Sequence, residues 1–130
     1  MSEEKKIKVV LLEPGKLART AEIGTSIEDL QNAVDGLIEP FYPFEEQVCI
    51  VCNDEGKING MLPNRSVKNK DGVMVDFIFG PAFICDCRGE SFDSLSDEQI
   101  ARYTKMFRYP EHLARVNDTL LGIPYRPQPE

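Results

Sequence analysis

The sequence predicts an α+β domain: a mixed, mostly antiparallel sheet of about five strands with helices packed on one face. Three observations lead to that class. Two unbroken apolar runs, Val9 to Leu12 and Val48 to Cys52, have strand length and are apolar enough to be covered on both sides. Two stretches, Thr25 to Glu28 and Ser96 to Gln99, carry the capping-box pattern of a helix start. The 130 residues are 42% apolar and 28% charged, which suits one ordinary domain with a real core.

The elements follow in order. Ile7 to Glu13 form a central strand, ended by a turn at Pro14 and Gly15. Leu17 to Ile23 return as the second strand of a hairpin. Thr25 caps a helix from Ser26 to Asp35, whose apolar positions Ile27, Leu30 and Val34 share a face and whose C-cap is a left-handed Gly36. Leu37 to Tyr42 form a strand that Pro40 confines to an edge. After a loop at Pro43 to Glu46, Gln47 to Asn53 form a strong internal strand. Asn53 to Gly56 turn, with positive φ expected at Gly56.

Lys57 to Val67 read as irregular because Gly60, Pro63 and Asn64 interrupt them. Val73 to Phe79 and Ala82 to Cys87 read as paired strands, or as one strand broken at Gly80 and Pro81. Ser96 opens a second helix with Ile100, Tyr103, Thr104 and Phe107 along one face. Pro110 suits the first position of a further helix carrying Leu113, Val116, Leu120 and Leu121. One domain therefore spans residues 1–123. The proline-rich residues 124–130 form an extended or disordered tail.

Composition narrows the function. Lys and Arg total 15 against 22 Asp and Glu, a net charge of −7. Such a surface repels phosphate backbones, so direct nucleic-acid binding is not expected. It suits a basic protein partner, including a nucleic-acid-binding protein whose groove carboxylates can occupy; the plain alternative is that the charge only maintains solubility. The charged start from Met1 to Lys6 precedes too few apolar residues for a signal peptide or a membrane span. A cytoplasmic location with reduced cysteines is expected.

No cofactor, metal or catalytic group is expected from the motifs. A zinc site would need Cys49, Cys52, Cys85 and Cys87 to converge. Ile50 and Val51 favour a strand, in which Cys49 and Cys52 point to opposite faces. His112 is the one histidine and reads as a surface residue. No phosphate-cradling glycine loop or EF-hand spacing occurs.

Two segments are unusual for pure scaffold. Glu39, Phe41, Tyr42 and Phe44 lie in a stretch dense in aromatics and prolines, and Asn64 and Arg65 end an irregular one. With Asn53 they form a candidate recognition surface, in which Glu39, Tyr42, Asn64 and Arg65 are expected near one another. In the structural alternative, Phe41 and Phe44 close the core, Asn64 caps a turn and Arg65 pairs with Glu39.

The same residues carry a resemblance. Leu12 to Lys16, Leu30 with Gln31, Gly36 to Glu39, Tyr42 to Phe44, Val51 to Lys57, Leu62 to Arg65, Gly80 with Phe83 and Ile84, and Ser94 to Ile100 together resemble the family named domain of unknown function 3846. The match covers most of residues 7 to 107. The pattern departs at Cys85 to Cys87, and the tail beyond Phe107 is less familiar. The resemblance implies a small protein of bacterial phages, plasmids and integrative elements, whose neighbourhoods include counter-defence genes, and it supplies no catalytic residues. The expected function is a non-enzymatic binding protein of such an element, an inhibitor of a host nuclease of the anti-CRISPR or antirestriction type. The alternatives are a regulatory protein-interaction module, and a small-ligand binder or enzyme using the loops around Glu39, Asn53, Asn64 and Arg65.

Overall fold

A computed structural model describes residues 5–128. Within them the chain runs β1 (Lys6–Leu12), β2 (Arg19–Gly24), α1 (Ile27–Val34), β3 (Ile38–Phe41), β4 (Val48–Asn53), β5 (Pro63–Lys68), β6 (Met74–Phe79), β7 (Ala82–Asp86), α2 (Asp97–Met106), β8 (Glu111–Val116) and β9 (Thr119–Pro124). Five strands make one sheet in the order β2-β1-β7-β4-β3, and every pairing in it is antiparallel. β5 with β6 and β8 with β9 are separate two-stranded hairpins.

The apolar runs dictate this layout. β1 and β4 are internal, as their sequences require, and all of β7 between them is buried. Alternate side chains of these strands feed two separate cores. Val10, Leu12, Val48, Ile50, Ala82 and Ile84 pack on one face with Val67, Ile78, Tyr103 and Phe107. Ile7, Val9, Cys49, Val51, Phe83 and Cys85 pack on the other with Leu30 and Val34. The β5–β6 hairpin and α2 therefore cover one face, and α1 covers the opposite one. The α+β class and the five-stranded sheet stand, but the helices expected together on one face divide between the two. A strand apolar on both sides needs cover on both.

Local chemistry sets the helix ends. Ser26, not Thr25, caps α1, its side chain accepting from the Asp29 N–H at 3.1 Å. The Thr25 hydroxyl instead donates to the Lys5 carbonyl. Asp35 rather than Gly36 takes the left-handed C-cap position, at φ 61°. α2 shows the full reciprocal capping box between Ser96 and Gln99. Pro40 lies in β3, an edge strand, where its missing N–H interrupts no ladder.

Three segments depart from expectation. Residues 63–68, read as irregular, form β5, with register shifts on either side that accommodate the local breakers. β6 and β7 neither pair nor form one broken strand, because Gly80 at φ 80° turns the chain from the hairpin into the main sheet. The helix expected after Pro110 is the β8–β9 hairpin. Asn117 and Asp118 both have positive φ, 50° and 67°, the tight-turn geometry that matches strand twist. Gly56 does not take the positive φ expected of it. What it supplies is room, since a Cβ there would lie 2.5 Å from the Phe79 carbonyl oxygen.

The start of the expected tail is held in place: the Tyr125 N–H donates to the Pro110 carbonyl at 3.0 Å, and its ring stacks on His112 at 4.0 Å. Residues 129–130, and the N-terminal residues 1–4 from which the absence of a signal peptide was read, lie outside the described residues. Among the described residues, no helix is long and apolar enough to cross a membrane.

Candidate functional site

The residues singled out in the sequence separate into a buried clasp and two clefts. Asn64 and Arg65 make the clasp, and both are fully buried. Asn64 donates to the carbonyls of Leu12 and Gly80 at 2.9 and 2.8 Å. Arg65 Nε donates to the Phe107 carbonyl at 2.6 Å, Nη1 to the Glu13 carbonyl and Asn64 Oδ1 at 3.1 and 2.6 Å, and Nη2 to the Lys16 and Arg108 carbonyls at 2.5 and 3.4 Å. A guanidinium has five N–H donors, and every one finds an acceptor. Two of those acceptors are the carbonyls just past α2, where a cation also suits the helix dipole. Burial lowers the Arg65 pKa to about 10, with the Glu111 charge opposing, so the side chain stays charged at neutral pH.

Arg65 thus ties the β1–β2 turn to the end of α2. It neither pairs with Glu39 nor reaches the surface, and Asn64 caps no turn. Neither residue belongs to a recognition surface. Asn53 is equally committed: its amide donates to the Val34 and Asp35 carbonyls, both at 3.1 Å, and its oxygen accepts from the Glu55 N–H at 2.8 Å.

The first cleft, of about 180 Å³, runs beside β3 and the β4–β5 loop. Glu39, Phe41 and Asn53 line it with Asp54, Lys57 and Asp76. Glu39 and Asp54 are exposed and lie diagonally across the β3–β4 ladder, lining the cleft together. Hydrogen bonding of the protonated form to Asp54, then partial burial, then the Asp54 charge hold the Glu39 carboxyl above the usual carboxylate range. Among the described residues the one cation lining this cleft, Lys57, is already bonded to Asp76 Oδ1 at 2.7 Å. Ile58, 84% exposed, stands in the same cleft.

The second cleft is larger, about 620 Å³, and lies between the β3–β4 loop, α2, β5 and β8. Phe44 lines it, and its ring meets Tyr103 at 4.7 Å and Phe107 at 6.2 Å. Glu46 anchors the loop to α2 by accepting from the Tyr103 hydroxyl, from Arg102 Nη1 at 2.7 Å and from Gln99 Nε2 at 3.4 Å. The Tyr103 bond is the main reason the Glu46 carboxyl is held below its usual range, while burial pushes the Tyr103 hydroxyl up. Across the cleft, Glu111 Oε1 accepts from the Ser66 N–H at 3.0 Å and hydroxyl at 2.6 Å. Tyr42 is exposed, whereas Phe41 and Phe44 pack against the core. Sequence reasoning missed Glu46, Tyr103 and Glu111 because this cleft joins distant segments and no local motif announces it.

The four cysteines do not converge. Cys49 and Cys85 lie under α1, and Cys52 packs on the opposite face, where its thiol donates to the Glu39 carbonyl at 3.5 Å. Burial, then the Glu39 charge, push the Cys52 thiol up to about 11. Among the described residues, no group of three or more His, Cys, Asp and Glu side chains is placed to hold a metal ion.

The family described as domain of unknown function (DUF3846) matches residues 7–108. The chain belongs to this family. The matched span includes the five-stranded sheet, α1, α2 and the cleft beside β3, and ends before the β8–β9 hairpin. No curated protein and no solved structure matches the chain.

Proposed function

We propose that the chain is a non-enzymatic binding protein that docks a basic partner protein on the acidic cleft beside β3. The observation that carries this reading is the placement of Glu39 beside Asp54 in this cleft. Two exposed carboxylates side by side disfavour each other's ionisation, and a cation from a partner would relieve that repulsion. Exposed Ile58 gives the same surface apolar contact area. Exposed carboxylates steer association, and apolar neighbours lengthen residence. Within this class we propose the counter-defence role, in the cytoplasm of a bacterium carrying a phage or mobile element, with the carboxylates occupying the basic groove of a host nuclease. The net charge of −7 supports that finer reading.

The test is capture from the native host's extract, then competition. Wild-type protein should retain a basic nucleic-acid-binding protein and exclude nucleic acid from it. The Glu39→Lys, Asp54→Lys double variant should lose capture while its circular dichroism is unchanged. The on-rate should fall as salt rises, because the Debye length is only about 8 Å at physiological ionic strength. A complex that keeps its nucleic acid bound would reject groove occupation and favour a regulatory interaction module.

The second cleft favours one other reading. About 620 Å³ over an aromatic floor falls within the size range of small-molecule sites. A ligand that raises the melting temperature of the wild type, and loses that effect in Phe44→Ala but not in Glu39→Lys, would move the function there.

A further inference from the structure

Three of the four thiols meet under α1. Cys49 of β4 and Cys85 of β7 sit directly opposite in the antiparallel ladder, with their Sγ atoms 3.7 Å apart. The Cys87 N–H donates to the Gln47 carbonyl at 3.0 Å. Two residues further along each strand, Cys49 and Cys85 are therefore again a hydrogen-bonded pair, with a typical Cα separation of about 5.5 Å. Disulfides span Cα separations of about 4.4–6.8 Å, so this pair can close with little backbone movement.

Both thiols are wholly buried in the apolar cluster beneath α1, which shields them from a dissolved oxidant. Cys87 is different. It follows Cys85 by two residues, so it shares that face, and it lies diagonal to Cys49 across the ladder. It packs against the same cluster but is only half-buried.

We propose that Cys87 is a peroxide-reactive thiol that relays oxidation to a cross-strand Cys49–Cys85 disulfide. In the first step the Cys87 thiolate attacks one peroxide oxygen. The O–O bond breaks, Cys87 becomes a sulfenic acid, and hydroxide leaves and is protonated to water. The Cys49 thiolate then attacks the Cys87 sulfur, forming a Cys49–Cys87 disulfide and releasing the sulfenic oxygen as a second water. Finally the Cys85 thiolate attacks the Cys49 sulfur and expels Cys87 as a thiolate. Two thiols are oxidised, one peroxide is reduced to two waters, and Cys87 is restored.

The thiol chemistry orders these steps. Cys49 lies diagonal to Cys87 and directly opposite Cys85, so it is the buried thiol placed to attack Cys87 first, and hydrogen bonding from Cys85 lowers its pKa. Partial burial pushes Cys87 up to about 11. The first step should therefore accelerate about tenfold per pH unit below that value, as the thiolate fraction rises.

The experiment treats the full chain with hydrogen peroxide, alkylates the remaining thiols and maps cross-links by mass spectrometry. Wild type should lose two thiols per chain, carry a Cys49–Cys85 link and recover four thiols with dithiothreitol. Cys87→Ser should slow the loss at least tenfold, Cys85→Ser should trap a Cys49–Cys87 link, and Cys52→Ser should behave as wild type. Should Cys87→Ser fail to fold, the wild-type map and the Cys85→Ser link still decide the matter. Four persistent thiols in excess peroxide, oxidation of Cys87 that stops at the sulfinic acid, or unchanged kinetics in folded Cys87→Ser would overturn the relay.

Discussion

Arg65 and the Glu39–Asp54 pair handle charge in opposite ways. Arg65 is a single cation in a fully buried place, ringed by neutral oxygens that saturate its donors. Glu39 and Asp54 are like charges in an exposed place, and the nearby Lys57 is already engaged by Asp76. A buried charge persists only where the fold answers every hydrogen bond, so such a residue belongs to architecture. An exposed pair that remains mutually repulsive leaves electrostatic work for a partner, which is the property the proposed binding role uses. Polarity alone does not distinguish the two; the state of each group's hydrogen bonds does.

Removing the buried cation should have the largest effect. Arg65→Met leaves the Phe107 and Lys16 carbonyls and Asn64 Oδ1 without a donor, while the Glu13 and Arg108 carbonyls keep the Lys16 and Ala18 N–H groups. Each unsatisfied group costs about 1–3 kcal/mol, reduced where water can enter, so a total loss of at least about 3 kcal/mol is expected in urea unfolding. Arg65→Lys should recover little, because three donors on a flexible stem cannot reproduce the planar fork. A loss below about 1 kcal/mol would show that the clasp is dispensable.

An intermediate effect is expected at Glu46, a part-exposed carboxylate with an internal donor. Tyr103→Phe removes the hydroxyl that does most to lower the Glu46 pKa. The expected loss near neutral pH is about 1–2 kcal/mol by thermal or urea unfolding. A carboxyl with a lowered folded pKa stabilises the fold above its unfolded value, and that contribution disappears as pH falls through the folded pKa. The difference between wild type and Tyr103→Phe should therefore be widest near neutrality and shrink below about pH 4. A difference that stays constant from pH 7 to pH 3 would assign it to packing alone.

The same contrast explains what the sequence makes legible. β1 and β4 are legible because a continuous apolar run reports burial on both faces without reference to the rest of the chain. The Ser96–Gln99 cap is legible because both of its hydrogen bonds close within four residues. The β8–β9 hairpin is not: Leu113, Val116, Leu120 and Leu121 fit a helical face, but the Asn117–Asp118 turn decides the outcome. Arg65 misleads for a related reason. Its acceptors come from Glu13, Lys16, Phe107 and Arg108, far along the chain, so a buried clasp reads locally as a polar loop. Glu39 is legible as an exposed carboxylate because Pro40 marks its strand as an edge, whereas its neighbour Asp54 arrives through the turn after β4.

The smallest stability effect is expected at Glu39 and Asp54, and it separates binding chemistry from architecture most sharply. Asp54→Asn removes the like charge and offers an amide that can donate to the Glu39 carboxylate, so the Glu39 pKa should fall toward the ordinary range. A carboxyl whose folded pKa is raised binds its proton more tightly in the folded state, so its penalty develops as pH rises from the unfolded value through the folded one. Above that window Asp54→Asn should be neutral or slightly stabilising. The change should stay within about 0.5 kcal/mol, because the pair is exposed and screened by solvent. The direct measurement is the side-chain carboxyl carbon shift of Glu39 followed by NMR across the acid range, in wild type and Asp54→Asn. A Glu39 titration that does not move would mean that the two carboxylates do not interact in solution, and the proposed binding surface would lose the observation on which it rests. A downward shift with unchanged stability would show repulsion that the fold tolerates and a basic partner can relieve.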